Sequence, residues 1–274
     1  MPHWKLTLTY DGTPYNGWQI QPNLPTVQGT LAQAIYHITG ETVLPQGSGR
    51  TDTGVHALGQ VASFSLTTPI PAPNLHRALN NALPSSIRII SVEPAPESFH
   101  ARHSALRKTY EYRILPRGIL CSPFRAPFLW QSRYHLNFEA LQQAATQVIG
   151  IHDFTSFAAT DPDLTTRTRP EEEDDDDAQT EAMSNLASPQ QPANNIRTIH
   201  HSAWHKHEDL IIYRVTGSGF LHHMVRNLVG TFVECASKRR NPDSISEILA
   251  ARSRSAAGFT APARGLFLVE VKYE

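Results

Sequence analysis

Residues 4–12, WKLTLTYDG, alternate apolar and polar side chains with the period of two that marks a strand buried on one face and wet on the other. The same signature recurs in QVASFSL, SIRIISVEPAP, TYEYRIL, IRTIHHSAWHK, DLIIYRVTGS and LFLVEVKY. Strands buried on both faces of a parallel sheet would read as continuous Val/Ile runs, so alternation on this scale selects mostly antiparallel sheets covered on one side. The cover is also legible. VQGTLAQAIYHITG places Val27, Leu31, Ala34, Ile35 and Ile38 on one helical face and stops at Gly40. PNLHRALNNALP is closed by Pro84, and NFEALQQAATQVIG, a segment from Phe220 to about Lys238, and SISEILAAR supply three more helices. The order β, α, β, α, β followed by a second mixed series predicts an α+β fold of two halves, residues 1–104 and 105–274. No short-period repeat suggests a solenoid or propeller.

The 274 residues, 40% of them apolar, suffice for a substantial core. No run of about 18 apolar residues could span a bilayer, and the opening MPHWKLTLTYDG lacks the pattern of a signal peptide. Cys121 and Cys235, the two cysteines, form no CxxC, which predicts neither disulfide framework nor zinc ribbon and fits a reducing, cytoplasmic setting. The formal charge of −1 conceals an asymmetry. Residues 170–192, PEEEDDDDAQTEAMSNLASPQQP, hold eight acids and no Lys or Arg, so the rest of the chain carries +7. Such a block repels itself and buries nothing; it reads as a disordered insertion remote from the site, on a basic body suited to an anionic partner such as nucleic acid.

The chemistry concentrates in GSGRTDTGVHALGQVASF, residues 47–64, where Arg50, Asp52 and His56 share one glycine-rich loop before a strand. An acid in such a loop ordinarily caps a turn. Two cationic neighbours argue for more. Asp52-Thr53-Gly54 spells the DTG of aspartic proteases, but that chemistry needs a second aspartate, no other DTG or DSG occurs, and Arg50 opposes proton sharing. GSGRTDTG lacks the Lys-Ser/Thr ending of a phosphate-binding P-loop and precedes a strand. His222-His223 and the group His200, His201, His205, His207 come without HExxH or CxxC, so no metal is expected.

Taken together, YDGTPYNGWQIQP, TVQGTLAQAI, GSGRTDTGVHALGQVASF, NNALPSSIRI, ESFHARHSALRKTYEYRI, GIHDFTSF, GSGFLHHMVRNLVG and ARGLFLVEV resemble, in order and close to end to end, the tRNA pseudouridine synthase A family. The acidic insertion is the departure from its pattern. The resemblance implies sheets meeting at a central basic cleft and a cofactor-independent isomerisation of uridines, at about positions 38, 39 and 40 of the tRNA anticodon stem-loop. It also implies a homodimer. Asp52 matches the family's catalytic carboxylate, leaving three roles open: addition to C1′, addition to C6, or removal of a ribose proton. Arg226 of HHMVRN matches the arginine that pairs with it, consistent with a lone cation among Leu221, Met224, Val225, Leu228, Val229 and Phe232. Tyr110 of KTYEYRI matches the active-site tyrosine, with Tyr112 as a core residue on the same strand face. Arg50 is expected to grip the flipped nucleotide, and His56, Arg102, His103, Arg107 and Lys108 to meet phosphates. Tyr10, Tyr15 and Trp18 are expected to be structural. The leading alternative is an RNA-binding module without catalysis; the presence of Asp52, Tyr110 and Arg226 weighs against it.

Overall fold

A computed structural model describes residues 1–159 and 195–274. The acidic insertion at 170–192 lies outside the described residues. The strands run β1 (His3–Tyr10), β2 (Gln46–Gly47), β3 (His56–Ser65), β4 (Ile87–Ala95), β5 (Arg107–Leu115), β6 (Trp130–Gln131), β7 (Gly150–Asp153), β8 (Ile196–His207), β9 (Leu210–Gly217) and β10 (Leu266–Lys272). The helices are α1 (Val27–Thr39), α2 (Ala72–Ala82), α3 (Phe138–Thr146), α4 (Met224–Ala236) and α5 (Ile245–Ala251).

The antiparallel α+β architecture read from the alternation is present. The strands of the two series continue one another in a single sheet ordered β4-β1-β3-β10-β5-β9-β8-β7, with β2 beside β3 and β6 beside β5. The join is β10. It pairs antiparallel with β5 and, through Phe267 opposite His56 and Leu268 opposite Ala57, parallel with β3. Strand β1 shows why sequence and sheet agree: Trp4, Leu6, Leu8 and Tyr10 are buried while the residues between them are partly exposed. On the covered side α1 packs against α2 and α2 against β4, while α3 packs against α4 and β8. One continuous core runs from Trp4 and Leu31 through Tyr112 to Phe232 and Leu268.

The helix ends follow local chemistry. Thr26 caps α1 by accepting from the Gly29 N–H, and Gly40 ends it at φ 76°. Asn137 caps α3 through the Ala140 N–H. Helix α4 starts later than its apolar periodicity suggests, because Phe220 and Leu221 are irregular, His222 and His223 form a turn, and His223 takes φ 59°, a left-handed backbone that cannot continue into a helix. That turn, the loop between β2 and β3, and the centre of the sheet surround one cleft.

Candidate active site

The 48–55 loop is held from several directions. The Trp18 backbone N–H donates to the Thr51 carbonyl at 3.0 Å and the Gly54 backbone N–H to the Tyr15 carbonyl at 3.3 Å. The Tyr10 hydroxyl meets Thr51 Oγ1 at 2.8 Å. Ser48 Oγ donates to Gln60 Oε1 at 2.6 Å, and Gln60 Nε2 donates to the Gly49 carbonyl at 2.9 Å. Tyr10, Tyr15 and Trp18 are buried, as a structural role requires. Gly17 permits the close approach: it sits at φ 85°, and a Cβ there would fall 2.6 Å from the Thr51 carbonyl oxygen. The loop is thus tied to its surroundings on several sides.

It presents Asp52 to the first turn of α4. Arg226 Nη1 donates to Asp52 Oδ2 at 2.9 Å, and its Nε donates to the Ala261 carbonyl at 2.8 Å. Both side chains of this pair are largely withdrawn from water, at 17% and 15% exposure. Removing a carboxylate from water is costly unless a cation and hydrogen bonds replace its solvation, and Arg226 does both. The positive end of the α4 dipole adds to the same effect.

Two groups that sequence reasoning set aside join this pair. Nε2 of His222 lies 3.5 Å from Asp52 Oδ1, and Nε2 of His223 lies 3.4 Å from Oδ2. Burial holds the His223 imidazole below its ordinary pKa; the Asp52 charge opposes this, while His222, Arg226 and Arg254 reinforce it. The signal available in sequence was the pair HH just before a helix, but a helix begun at Phe220 hides the turn that folds both rings back onto the loop.

Tyr110 lies across the same cleft with Arg50, Arg102, Lys108, Phe220 and Leu266. Its ring meets Phe220 edge-on at 5.0 Å, and burial, then Tyr10 and Asp52, hold its hydroxyl pKa far above the ordinary phenol range. The neutral phenol is therefore the resting form. Tyr112 is fully buried and donates to the Pro262 carbonyl at 2.7 Å, which places it in the core. Lys108 donates Nζ to the Ser48 carbonyl; burial, then Arg102 and Arg197, push its pKa down to about 8.

The remaining expected phosphate contacts divide. Arg107 precedes Lys108 on β5 and so projects from the opposite face of the strand. His103 is exposed outside the cleft, its ring 4.3 Å from that of His100. His56 requires correction. At 1% exposure its Nδ1 accepts from the Gly12 N–H and its Nε2 donates to the Pro127 carbonyl, each at 3.1 Å, and its ring stacks 4.7 Å from Phe267, so both ring nitrogens are engaged inside the fold and not presented to a phosphate. Its packing partners come from segments far away in sequence, so a loop histidine beside Arg50 and Asp52 gave no sign of burial.

Fold and site together place an arginine-paired carboxylate in a cleft lined with cations. The family model described as tRNA pseudouridine synthase matches residues 7–104 and 180–274. A tRNA pseudouridine synthase A of Solibacter usitatus (strain Ellin6076) is 41% identical over 269 residues, covering 98% of either chain. One from Moorella thermoacetica (strain ATCC 39073 / JCM 9320) is 41% identical over 276 residues and the full length of both. A third, from Thermoanaerobacter sp. (strain X514), is 39% identical over 268 residues, 98% of each. The chain belongs to the tRNA pseudouridine synthase family, an isomerase family acting on tRNA. Among the described residues no helix is long and apolar enough to cross a membrane.

Proposed function

We propose that this chain isomerises uridines at about positions 38, 39 and 40 of the tRNA anticodon stem-loop, with Asp52 as the catalytic carboxylate. The observation that carries this reading is the Asp52–Arg226 pair, 2.9 Å apart and set in a cleft with Tyr110 and three cationic side chains. A stem uridine must first leave its stack, at a cost of a few kcal/mol. Arg50 grips the displaced nucleotide, and Arg102 and Lys108 hold flanking phosphates. Arg226 pairs with Asp52 and aims it at the sugar and base, where a carboxylate can add to carbon or stabilise a cationic sugar.

The glycosidic bond from N1 then breaks, the uracil turns in the site, C5 bonds to C1′, the C5 proton leaves, and N1 takes up a proton in its place. Electrons and atoms balance without an outside reactant, so the reaction as written calls for no cofactor. The Tyr110 ring provides a stacking surface for the detached uracil, and its neutral phenol a hydrogen bond to it. The working enzyme is a cytoplasmic homodimer in which a tRNA stem lies across both subunits.

Transcripts labelled with 5-tritiated uridine test the assignment. Tritium should be released from tRNAs carrying uridine at 38, 39 or 40 and not from the same tRNAs with cytidine there. Equal release from both sets would place the activity elsewhere. An active enzyme that sediments strictly as a monomer would contradict the dimer.

A further inference from the structure

We propose that Asp52, His222 and His223 form a binding site for a divalent transition-metal ion of the zinc type, and that its occupation switches the enzyme off. Each imidazole Nε2 stands 3.5 or 3.4 Å from a carboxylate oxygen. Ligands about 2.1 Å from a tetrahedral ion lie about 3.4 Å from one another. Each imidazole thus stands at ligand spacing from one of the two carboxylate oxygens, and one donor atom from each of the three residues lies within 4.8 Å of the others, close enough to close on a shared ion by small side-chain rotations.

The geometry has a local cause. Adjacent residues on a strand or helix point apart, but the left-handed backbone of His223 turns the two rings together, with centroids 3.9 Å apart. The buried Nδ1 of His222 has no hydrogen-bond partner. Nothing bonded to Nδ1 therefore opposes the tautomer that keeps its proton there and turns the Nε2 lone pair toward an ion shared with Asp52. Two imidazoles and a carboxylate suit zinc, cobalt or nickel, whereas magnesium and calcium prefer oxygen donors alone. Water from the open cleft would complete the coordination.

Among the described residues this is the one place where three such side chains converge. The Arg226 charge on Asp52 Oδ2 counts against a cation, so binding belongs in the micromolar range and not tighter. The ion inhibits because it takes the carboxylate lone pairs the reaction uses. Binding stands on the geometry alone; inhibition rests on Asp52 being catalytic, as proposed above.

Titration calorimetry of the full chain with zinc chloride in a non-chelating buffer tests the site. One micromolar site is expected, at least about tenfold weaker in Asp52→Asn and in His222→Asn/His223→Asn, and unchanged in His100→Gln/His103→Gln. Cobalt should give the visible absorption of a four-coordinate ion in wild type only. Pseudouridine formation should fall with the same zinc midpoint and return on adding EDTA. No saturable binding below about 1 mM, or binding undiminished in either of the first two variants, overturns the site. Full occupancy with undiminished activity overturns the inhibition. Metal-free protein inactive on tRNA contradicts the function proposed above, and the calorimetry still decides the site.

Discussion

Asp52 and Arg226 are 174 positions apart in sequence, yet each carried its own signal: an acid among glycines and cations, and a cation on an apolar helix. Their pairing was not legible from those signals without the resemblance. Arg226→Ala should lower the rate of pseudouridine formation on the order of 100-fold, the loss typical of removing one preorganised electrostatic partner, with a smaller change in tRNA affinity. Single-turnover rates against filter-binding affinities separate the two. Lys108 makes a pH prediction. Its folded pKa of about 8 lies below the ordinary lysine value of 10.5, so between these pH values the unfolded chain holds a proton the folded chain has shed. Stability should rise with pH through that window on account of this group. Denaturant unfolding at pH 8 and pH 10 should show the wild type gaining on Lys108→Met; a gap independent of pH would contradict the shift. His56 shows the limit of residue-level reading, because burial by Phe128 and Phe267 is a property of the folded chain.

Elements with strong periodicity were legible because burial of one face is their main organising force, and β1 and α1 follow their sequence pattern closely. The short β2 and β6 were not, since two residues carry no period. The start of α4 was misplaced because Phe220 and Leu221 are apolar and extend the stripe, while nothing in His223 announces a left-handed turn. Helix α4 also depends on close packing. A Cβ on Gly230 would lie 1.7 Å from the Phe259 carbonyl oxygen, in the segment that continues to the Ala261 carbonyl held by Arg226. Gly230→Ala gains about 1 kcal/mol in helix propensity yet should destabilise the protein net by about 1–3 kcal/mol, because backbone must move to admit the methyl. Activity should fall too, as Ala261 shifts. A variant as stable and active as wild type would show that this contact yields without cost.

At the scale of the whole molecule, the alternation of the strands foretold a mostly antiparallel sheet but not its continuity. That depends on β10, the last strand, inserting between β3 and β5, a long-range pairing that leaves no local trace. The insertion places Leu268 opposite Tyr110, brings Leu266 into the lining of the cleft, and sets that cleft at the middle of the sheet. If Arg102 and Lys108 each neutralise one phosphate, replacing either should weaken tRNA binding across sequences and reduce the salt slope of affinity by about 1. Unchanged slopes would place the RNA elsewhere. The central claim is that Asp52 performs the chemistry on RNA bound in this cleft, and the most direct measurement is single-turnover tritium release by Asp52→Asn, alongside its affinity for tRNA. The account predicts a folded protein that binds tRNA and releases no tritium above the uncatalysed background, whereas release at a rate near that of the wild type would contradict it.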